Sequence, residues 1–180
     1  MSDSTSHFAS YLPRLTSRPV PASPDLAEAR GDDVQQLAVL QADVRGCPVS
    51  QWVGRIGRVV DGERSVVVLA KVDGELAGYA NVVFLPEHPD DGAPSGYYLA
   101  GVTVAVSWRR RGVGEALTRW RMAWAWQRAP EVWCFVSAQN RASLDLHEAL
   151  GFAEVRRAAS LQGTSFDGGE GLLLRAHSPR

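Results

Sequence analysis

The apolar and polar positions along the chain follow two periods, one typical of helices and one typical of strands. A mostly helical apolar spacing runs from Val34 to Gly46, and Asp33 followed by Gln36 resembles a capping box in front of it. A second, weaker helical pattern covers residues 49–60. This part of the chain is therefore expected to fold into two helices.

Strand patterns dominate the next part of the chain. Two runs rich in β-branched residues cover residues 65–84 and meet at Asp73 and Gly74, a pair that favours the tight turn of an antiparallel hairpin. A turn-rich loop follows at residues 86–96, and another strand is predicted from Tyr97 to Val106. Strands joined in this way favour a largely antiparallel sheet.

A single apolar stripe predicts the longest helix. Val113, Leu117, Trp120 and Trp124 follow one another at offsets of four, three and four residues, which places them on one face of a helix. The helix must end before Pro130, because the residue before a proline is disfavoured in the helical conformation.

The last part of the chain alternates again between the two periods. Residues Val132–Ser137 are predicted as a strand, and Arg141–Leu150 as a helix that ends at Gly151; Glu154–Leu161 and Gly171–Leu174 are predicted as a closing pair of strands. The order of elements predicts an α+β domain: a mostly antiparallel mixed sheet flanked by helices. Its one strand–helix–strand crossover should place two strands parallel to each other.

Length and proline content define the domain. The chain has 180 residues, of which 45% are hydrophobic, and this is enough for one packed domain. Prolines at positions 13, 19, 21 and 24 interrupt a Ser/Thr-rich start that lacks apolar periodicity. We therefore expect a flexible or extended segment at residues 1–24 and the domain at residues 25–180.

Charge and cysteine content exclude several classes of partner. The net charge is −1, from 19 basic and 20 acidic residues, which argues against nucleic acid or an anionic membrane as a partner. The longest aliphatic stretch, Val66–Ala70, is too short for a membrane span, so a cytoplasmic protein is expected. Cys47 and Cys134 lack the spacing of a zinc or redox site, and we interpret both as reduced structural thiols, with no metal.

The stretch SWRRRGVGEAL at residues 107–117 carries the strongest chemical signal. It lies where a strand ends and a helix begins, and the first N–H groups of a helix attract anions. Gly112 and Gly114 would let a phosphate approach the backbone, with Arg109–Arg111 supplying positive charge. A dinucleotide fingerprint is excluded, because Leu117 stands where that motif requires Gly or Ala, and the phosphate-loop motif Gly-Lys-Ser/Thr is absent from the sequence.

Residues Arg109–Gly114 resemble the Arg/Gln-x-x-Gly-x-Gly/Ala signature of the GNAT superfamily of acyl-CoA N-acyltransferases. Two further stretches strengthen the resemblance. Val102–Val104 ends the preceding strand at the expected distance, and Asn140–Ser143 with His147–Phe152 resembles the second signature, Asn-x-Ala-x followed by Tyr-x-x-x-Gly-Phe. The resemblance covers about residues 30–176, although the family's first strand is not evident unless the proline-rich segment supplies it.

The resemblance implies acetyl-CoA as acyl donor, bound where the strand before the arginine turn splays from its parallel neighbour. In such proteins the backbone of Val102 and Val104 would pair with the pantetheine arm, the Val102 N–H would polarise the thioester carbonyl, and the amides of Arg110–Glu115 would hold the pyrophosphate. The coenzyme A-binding residues implied in this way are Val102, Thr103, Val104, Arg109, Arg110, Arg111, Gly112, Val113, Gly114, Glu115, Asn140 and Ser143.

The family commonly protonates the leaving thiolate with a tyrosine at the position that His147 occupies here. Histidine titrates near pH ~6.5, so we interpret His147 as a candidate general acid. The alternative is a partly buried helix histidine satisfied by a backbone carbonyl, and it stays open. Asn140 is expected to cap its helix, whether or not it also contacts coenzyme A.

No general base is evident. Relatives carry a glutamate at positions where this chain has Ala100-Gly101 or Phe135, and neither can accept a proton. Other candidates are more typical of solvated charges, and a water relay or an already neutral amine would replace them: Glu87, His88, Asp90, Asp91 and Glu170. Tyr97 and the acidic 86–96 loop lie where related proteins build the acceptor pocket, which would favour a cationic amine.

The resemblance therefore implies an N-acetyltransferase that moves an acetyl group from acetyl-CoA directly to a primary amine in a ternary complex. A small molecule is the expected acceptor, and a homodimer is compatible with the resemblance. Two alternatives stay open: an acyl-CoA-binding sensor or pseudo-enzyme, and an acetyltransferase for protein amino termini or lysines. A nucleic-acid-binding module using Arg109–Arg111 is a further reading, which the neutral net charge disfavours.

Overall fold

The computed structural model describes residues 20–166 and 168–179. Most of the predicted segment at residues 1–24 therefore lies outside the described residues. The helices are α1 (Val34–Arg45), α2 (Ser50–Val60), α3 (Val113–Trp126) and α4 (Arg141–Ala149), with short 3-10 turns at Gly31–Asp33 and Val106–Trp108. The strands are β1 (Asp25–Glu28), β2 (Ser65–Val72), β3 (Glu75–Leu85), β4 (Gly96–Val104), β5 (Glu131–Ser137), β6 (Ala153–Ala158), β7 (Ser160–Leu161), β8 (Thr164–Ser165) and β9 (Gly171–His177).

Seven of the described strands form one mixed sheet in the order β1-β2-β3-β4-β5-β9-β6, while β7 and β8 pair separately. Every neighbouring pair in the large sheet is antiparallel except β4 and β5. These two strands are joined through α3, so the predicted crossover and its parallel pair are confirmed. The α+β fold class is confirmed with them.

The two faces of the sheet are covered by different helices. Val67 and Leu69 of β2 pack with Leu37 of α1 and Ile56 of α2 on one face. Alternate β2 residues, including Val68, pack on the other face with α3 residues. Of the predicted α3 stripe, Val113, Leu117 and Trp124 are buried and Trp120 is partly buried, which confirms that interpretation.

Three details of the prediction are corrected. β4 ends at Val104 rather than Val106, because the chain turns into the 3-10 turn there. The Asp33 carboxylate does not cap α1; it accepts hydrogen bonds from the Arg30 N–H (2.8 Å) and from Gln36 Nε2 (2.7 Å). The strand that the sequence pattern did not reveal is β1, which pairs with β2 at the edge of the sheet.

Candidate active site at a split between two strands

The parallel strands β4 and β5 separate soon after they meet. Within these strands a paired position is present only at Tyr98 and Trp133. Tyr98 is fully buried, whereas Val102, further along β4 and in the middle of the sheet, is 40% exposed. A mid-sheet strand with an exposed, unpaired edge can accept an extended ligand in place of the missing neighbour.

A β-bulge bends β4 at this point. Asn81 of β3 pairs with Ala100 and Ala80 pairs with Val102, so Gly101 is the extra residue, with a φ of +56° that favours glycine. The Asn81 side-chain amide, oriented as a donor, bonds the carbonyls of Ala100 and Gly101, the latter at 3.2 Å. The bulge thus sets the direction of the Val102 backbone at the mouth of the split.

Arg121 of α3 holds the bulge from the other face, although no sequence motif marks this residue. Its Nη1 donates to the carbonyls of Asn81 and Gly101, both at 3.2 Å, and its Nη2 donates to Thr118 Oγ1 at 3.0 Å. Arg121 follows Leu117 by four residues, so the helical period already placed it on the buried stripe.

Burial makes Arg121 electrostatically unusual. The side chain is 2% exposed, and its Nε has no hydrogen-bond partner among the described residues. Burial lowers the pKa of Arg121 to about 10, with an opposing contribution from Cys134, so the guanidinium is still charged at neutral pH. Burial likewise raises the pKa of the Cys134 thiol, so at neutral pH Cys134 stays protonated and does not neutralise Arg121.

The arginine–glycine turn lies at the carboxyl end of β4, where α3 begins. Arg110 and Gly112 both have a positive φ, +62° and +89°, so the turn is tight and Gly112 is the residue that tolerates it. The first hydrogen bond back into the turn runs from the Ala116 N–H to the Gly112 carbonyl, at 3.0 Å. The N–H groups before Ala116 form the end of α3, where the helix dipole favours an anion.

The side chains of Arg109 and Arg111 make contacts within the protein. Arg109 Nε donates to the Val104 carbonyl at 3.3 Å. Arg111 Nε donates to the Val20 carbonyl at 3.1 Å, and its guanidinium lies 4.5 Å from the Trp108 ring centroid. Their charges therefore surround the turn, while the backbone N–H groups supply its directional donors.

The space beside Gly114 shows whether the turn has room for a phosphate. A methyl group placed on Gly114 would meet only Val104 Cγ2, at 3.9 Å, and the residue has no positive φ. The protein's own packing therefore does not require glycine here. The open space in front of Gly114, beside the end of β4, is what a bound pyrophosphate would need, so the residues present fit coenzyme A.

The second predicted motif begins α4 on the β5 side of the split. Asn140 Oδ1 accepts a hydrogen bond from the Ser143 N–H at 3.2 Å, which confirms the predicted helix cap. His147 lies one turn further along α4, with its Nδ1 2.7 Å from the Ser143 carbonyl and 3.3 Å from Ser143 Oγ.

The environment of His147 matches the alternative reading of this residue. Burial lowers the pKa of His147 to about 4, which outweighs the effect of the hydrogen bond to the Ser143 carbonyl, and Arg121 lowers it further. The imidazole is neutral at pH 7, and the contact with the carbonyl assigns its single proton to Nδ1. Nε2 then carries no proton to donate. This geometry argues against His147 as general acid, and that role stays a prediction.

A separate cavity of about 240 Å³ lies between α1, α2 and the sheet. It reaches the bulge at Asn81 and Gly101, and Tyr79 forms part of its wall. The Tyr79 hydroxyl donates to Gln41 Oε1 at 2.8 Å, and Thr103 Oγ1 donates to the same oxygen. Burial raises the pKa of Tyr79 to about 12, although Thr103 and the charge of Arg45 oppose that rise, so the phenol stays protonated.

The residues proposed for the general base and the acceptor pocket lie elsewhere. Asp91 accepts hydrogen bonds from the N–H groups of Ala93 (2.9 Å) and Gly163 (3.0 Å), and Glu170 pairs with Arg157 at 3.1 Å. The predicted role of Tyr97 in an acceptor pocket is wrong, because its ring packs in the core against Phe84 and Trp124.

None of the five acidic or histidine candidates lines the cavity that ends at Gly101. Cys47 and Cys134 are both free thiols, as expected. Across the described residues, no three His, Cys, Asp or Glu side chains lie close enough to hold a metal ion. In that same part of the chain, no helix is both long and apolar enough to cross a membrane.

Several solved structures share this fold. A GNAT-family acetyltransferase from Bacillus cereus is 18% identical, with a TM-score of 0.68 over 88% of this chain and 99% of its own. A ribosomal-protein-alanine N-acetyltransferase from Brucella melitensis is 22% identical, with a TM-score of 0.63 over 86% and 99%. NAA60 from Arabidopsis thaliana, solved with acetyl-CoA, is 19% identical, with a TM-score of 0.65 over 86% and 98%.

At these identities the solved structures establish the fold alone. A search of curated protein sequences finds no match. The sequence model described as "Acetyltransferase (GNAT) family" matches residues 34–152, which run from the start of α1 through the end of the second motif. This match includes the split, the arginine–glycine turn and α4. The chain belongs to the GNAT acetyltransferase family.

Proposed function

We propose that this protein is an acetyl-CoA-dependent N-acetyltransferase that acts on the primary amine of a small molecule. The observation that carries the proposal is the split between β4 and β5, which exposes the edge of Val102 directly beside the glycine turn at the start of α3. In open α/β sheets, a crevice at the carboxyl ends of parallel strands is the usual place for a ligand.

Different residues around the split would bind different parts of acetyl-CoA. The backbone edge Val102–Val104 would pair with the extended pantetheine arm, and the N–H groups of Arg110–Glu115 would hold the pyrophosphate. Asn140 and Ser143 would border the β5 side of the split. Bound acetyl-CoA would supply an activated acetyl thioester and a thiol leaving group.

The backbone of Val102 is the proposed electrophilic group. Its N–H would donate to the reacting carbonyl oxygen, where negative charge develops as an amine attacks. Arg121 supports this role as a positioning residue, because it fixes the Gly101 carbonyl immediately before Val102. The charge of Arg121, buried and without a carboxylate partner among the described residues, adds a favourable potential at the same place.

The amine must be neutral to attack, and the cavity at the bulge offers no carboxylate to remove its proton. The amine would therefore lose its proton to solvent, directly or through a water, before the chemical step. This predicts an initial rate that rises with pH until the pKa of the acceptor amine is reached.

The size of the cavity supports a small acceptor. A volume of about 240 Å³ is below the usual range of drug-sized ligand pockets, which begins near ~300 Å³. It suits a single amine-bearing group better than a bulky oligosaccharide or a folded protein surface. An acetyltransferase for protein amino termini or lysines remains the alternative within the same reaction class.

The test is thiol release from acetyl-CoA across a panel of amines, with direct binding of acetyl-CoA measured by calorimetry in parallel. Amine-dependent release supports the proposal and identifies the acceptor class. Binding without release on small amines, peptides and proteins would favour the sensor or pseudo-enzyme. Absence of acetyl-CoA binding would overturn the proposal.

A further inference from the structure

The cavity between α1, α2 and the sheet is lined by charged groups of one sign. Arg45 at the end of α1 and Arg55 on α2 line it, and no acidic side chain does. Neither arginine takes part in an ion pair within the described residues. Arg55 lies over the Trp52 ring, 5.4 Å from its centroid, which orients the guanidinium toward a residue of the cavity wall.

The acidic residues nearest in sequence do not change this balance. Asp43 is the acidic residue of α1, and it is exposed and does not line the cavity. α2 contains no acidic residue, and a third arginine, Arg58, lies on it outside the cavity. The cavity therefore presents an uncompensated positive charge of about two units, which would repel a polycationic amine and attract an anion.

The same cavity also reaches the place where the chemistry would occur. Gly101 and Asn81 close it at the β4 bulge, one residue from the exposed Val102. The rest of the wall combines apolar side chains, Ile56, Val59, Val67 and the Trp52 ring, with the polar side chains of Gln41 and Tyr79. A ligand that fills this space would bring an amine to the bulge and an anionic group to the arginines, with its apolar part against Ile56 and Val67.

We infer that the acceptor is a small amine that also carries a carboxylate, of the size of a single amino acid, with its carboxylate bound by Arg45 and Arg55. Guanidinium groups bind carboxylates through paired, charge-assisted hydrogen bonds. The volume of about 240 Å³ limits the body of the acceptor to a side chain of modest size. This inference names the substrate class of the proposed acetyltransferase and rests on that function.

The first arm of the test compares three forms of one acceptor: a branched-chain or aromatic amino acid, its carboxamide, and the amine that lacks the carboxyl group. Thiol release is measured for each at a pH at which equal fractions of the amine are neutral, because the carboxamide's amine has a lower pKa. The wild type should prefer the acid over the carboxamide by about tenfold or more in kcat/KM. Equal rates on all three forms would overturn the inference while leaving the acetyltransferase intact.

The second arm uses the variants Arg45→Gln, Arg55→Gln and the double variant, with Arg58→Gln as the matched control. Arg58 lies on the same helix as Arg55 but outside the cavity. The double variant should lose the preference for the acid over the carboxamide, while Arg58→Gln keeps the wild-type preference. A preference that persists in the double variant would overturn the inference.

The third arm separates the inference from the proposed function. Binding of the N-acetylated amino acid, the expected product, is measured by calorimetry against its carboxamide, without any turnover. Tighter binding of the acid that depends on Arg45 and Arg55 supports the cavity assignment even where no thiol is released. Binding that is equally weak for acid and carboxamide overturns it, whatever the thiol assay reports.

Discussion

Replacement of Gly114 with alanine should separate coenzyme A binding from stability. Gly114 is the second residue of α3, without a positive φ, and an added methyl group would meet only Val104 Cγ2, at 3.9 Å. Alanine in a helix is more favourable than glycine by up to about 1 kcal/mol, so the variant should be at least as stable as the wild type. For a chain of this length, that gain would raise Tm by about 2–4 °C.

The same methyl group would occupy the space in front of the turn. A phosphate oxygen must come within about 2.9 Å of a backbone nitrogen to accept its hydrogen bond, and a methyl carbon keeps it at about 3.5 Å or more. Loss of one hydrogen bond to a charged group costs about 1.5–3 kcal/mol, which is a ten- to hundredfold increase in Kd for acetyl-CoA. Gly114→Val should weaken binding further.

The assay is isothermal titration calorimetry with coenzyme A, alongside thermal unfolding without ligand. Gly54→Ala is the matched control, because Gly54 lies within α2, has open space around it and is distant in sequence from the turn. It should show the gain in Tm with unchanged affinity. Wild-type affinity in Gly114→Ala and Gly114→Val would refute the assignment of this turn to the pyrophosphate.

Three further predictions concern single residues. Gly112→Ala should destabilise the fold by about 1–2 kcal/mol in chemical unfolding, because its φ of +89° strains any other residue. His147 has a pKa of about 4 in the fold against 6.5 in the unfolded chain, so it contributes stability that is present above pH 6.5 and lost toward pH 4. In unfolding titrations, His147→Gln should therefore reduce the loss of stability between these pH values by about 3 kcal/mol. Asp91→Asn should accelerate hydrogen exchange at the Gly163 amide, which donates to Asp91 Oδ2 at 3.0 Å.

The parts of the fold that follow from local patterns were predictable. The hairpin at Asp73 and Gly74 has the positive φ values of 52° and 83° that this pair favours, and Gly46 ends α1 with a φ of 64°. β1 was not predictable in this way. Its four residues, DLAE, contain only two apolar positions and pair on one side alone, so their conformation depends on β2 rather than on their own pattern.

The candidate site likewise contains local features, which were predictable, and long-range contacts, which were not. The arginine–glycine turn and the Asn140 cap could be identified because their hydrogen bonds join residues close in sequence. The bulge contact of Arg121 spans 40 residues to Asn81, and the Tyr79–Gln41 bond spans 38, so no local pattern contains them. Tyr97 was misplaced for a related reason: both faces of β4 meet a core, so Tyr97 and its neighbour Tyr98 are both buried, which the local pattern does not reveal.

The proposed phosphate site and the proposed acceptor cavity also depend on different parts of the chain, the first on main-chain groups and the second on side chains. A phosphate site built from main-chain N–H groups depends on the conformation of a turn, so it tolerates wide changes in side chains, and structures with 18–22% identity share the fold that carries it. The cavity at the bulge is defined by side chains of α1 and α2, which a likeness of fold does not transmit. Acceptor choice therefore depends on this chain's own residues, and among them Arg45 and Arg55 supply the only charges on the cavity wall within the described residues.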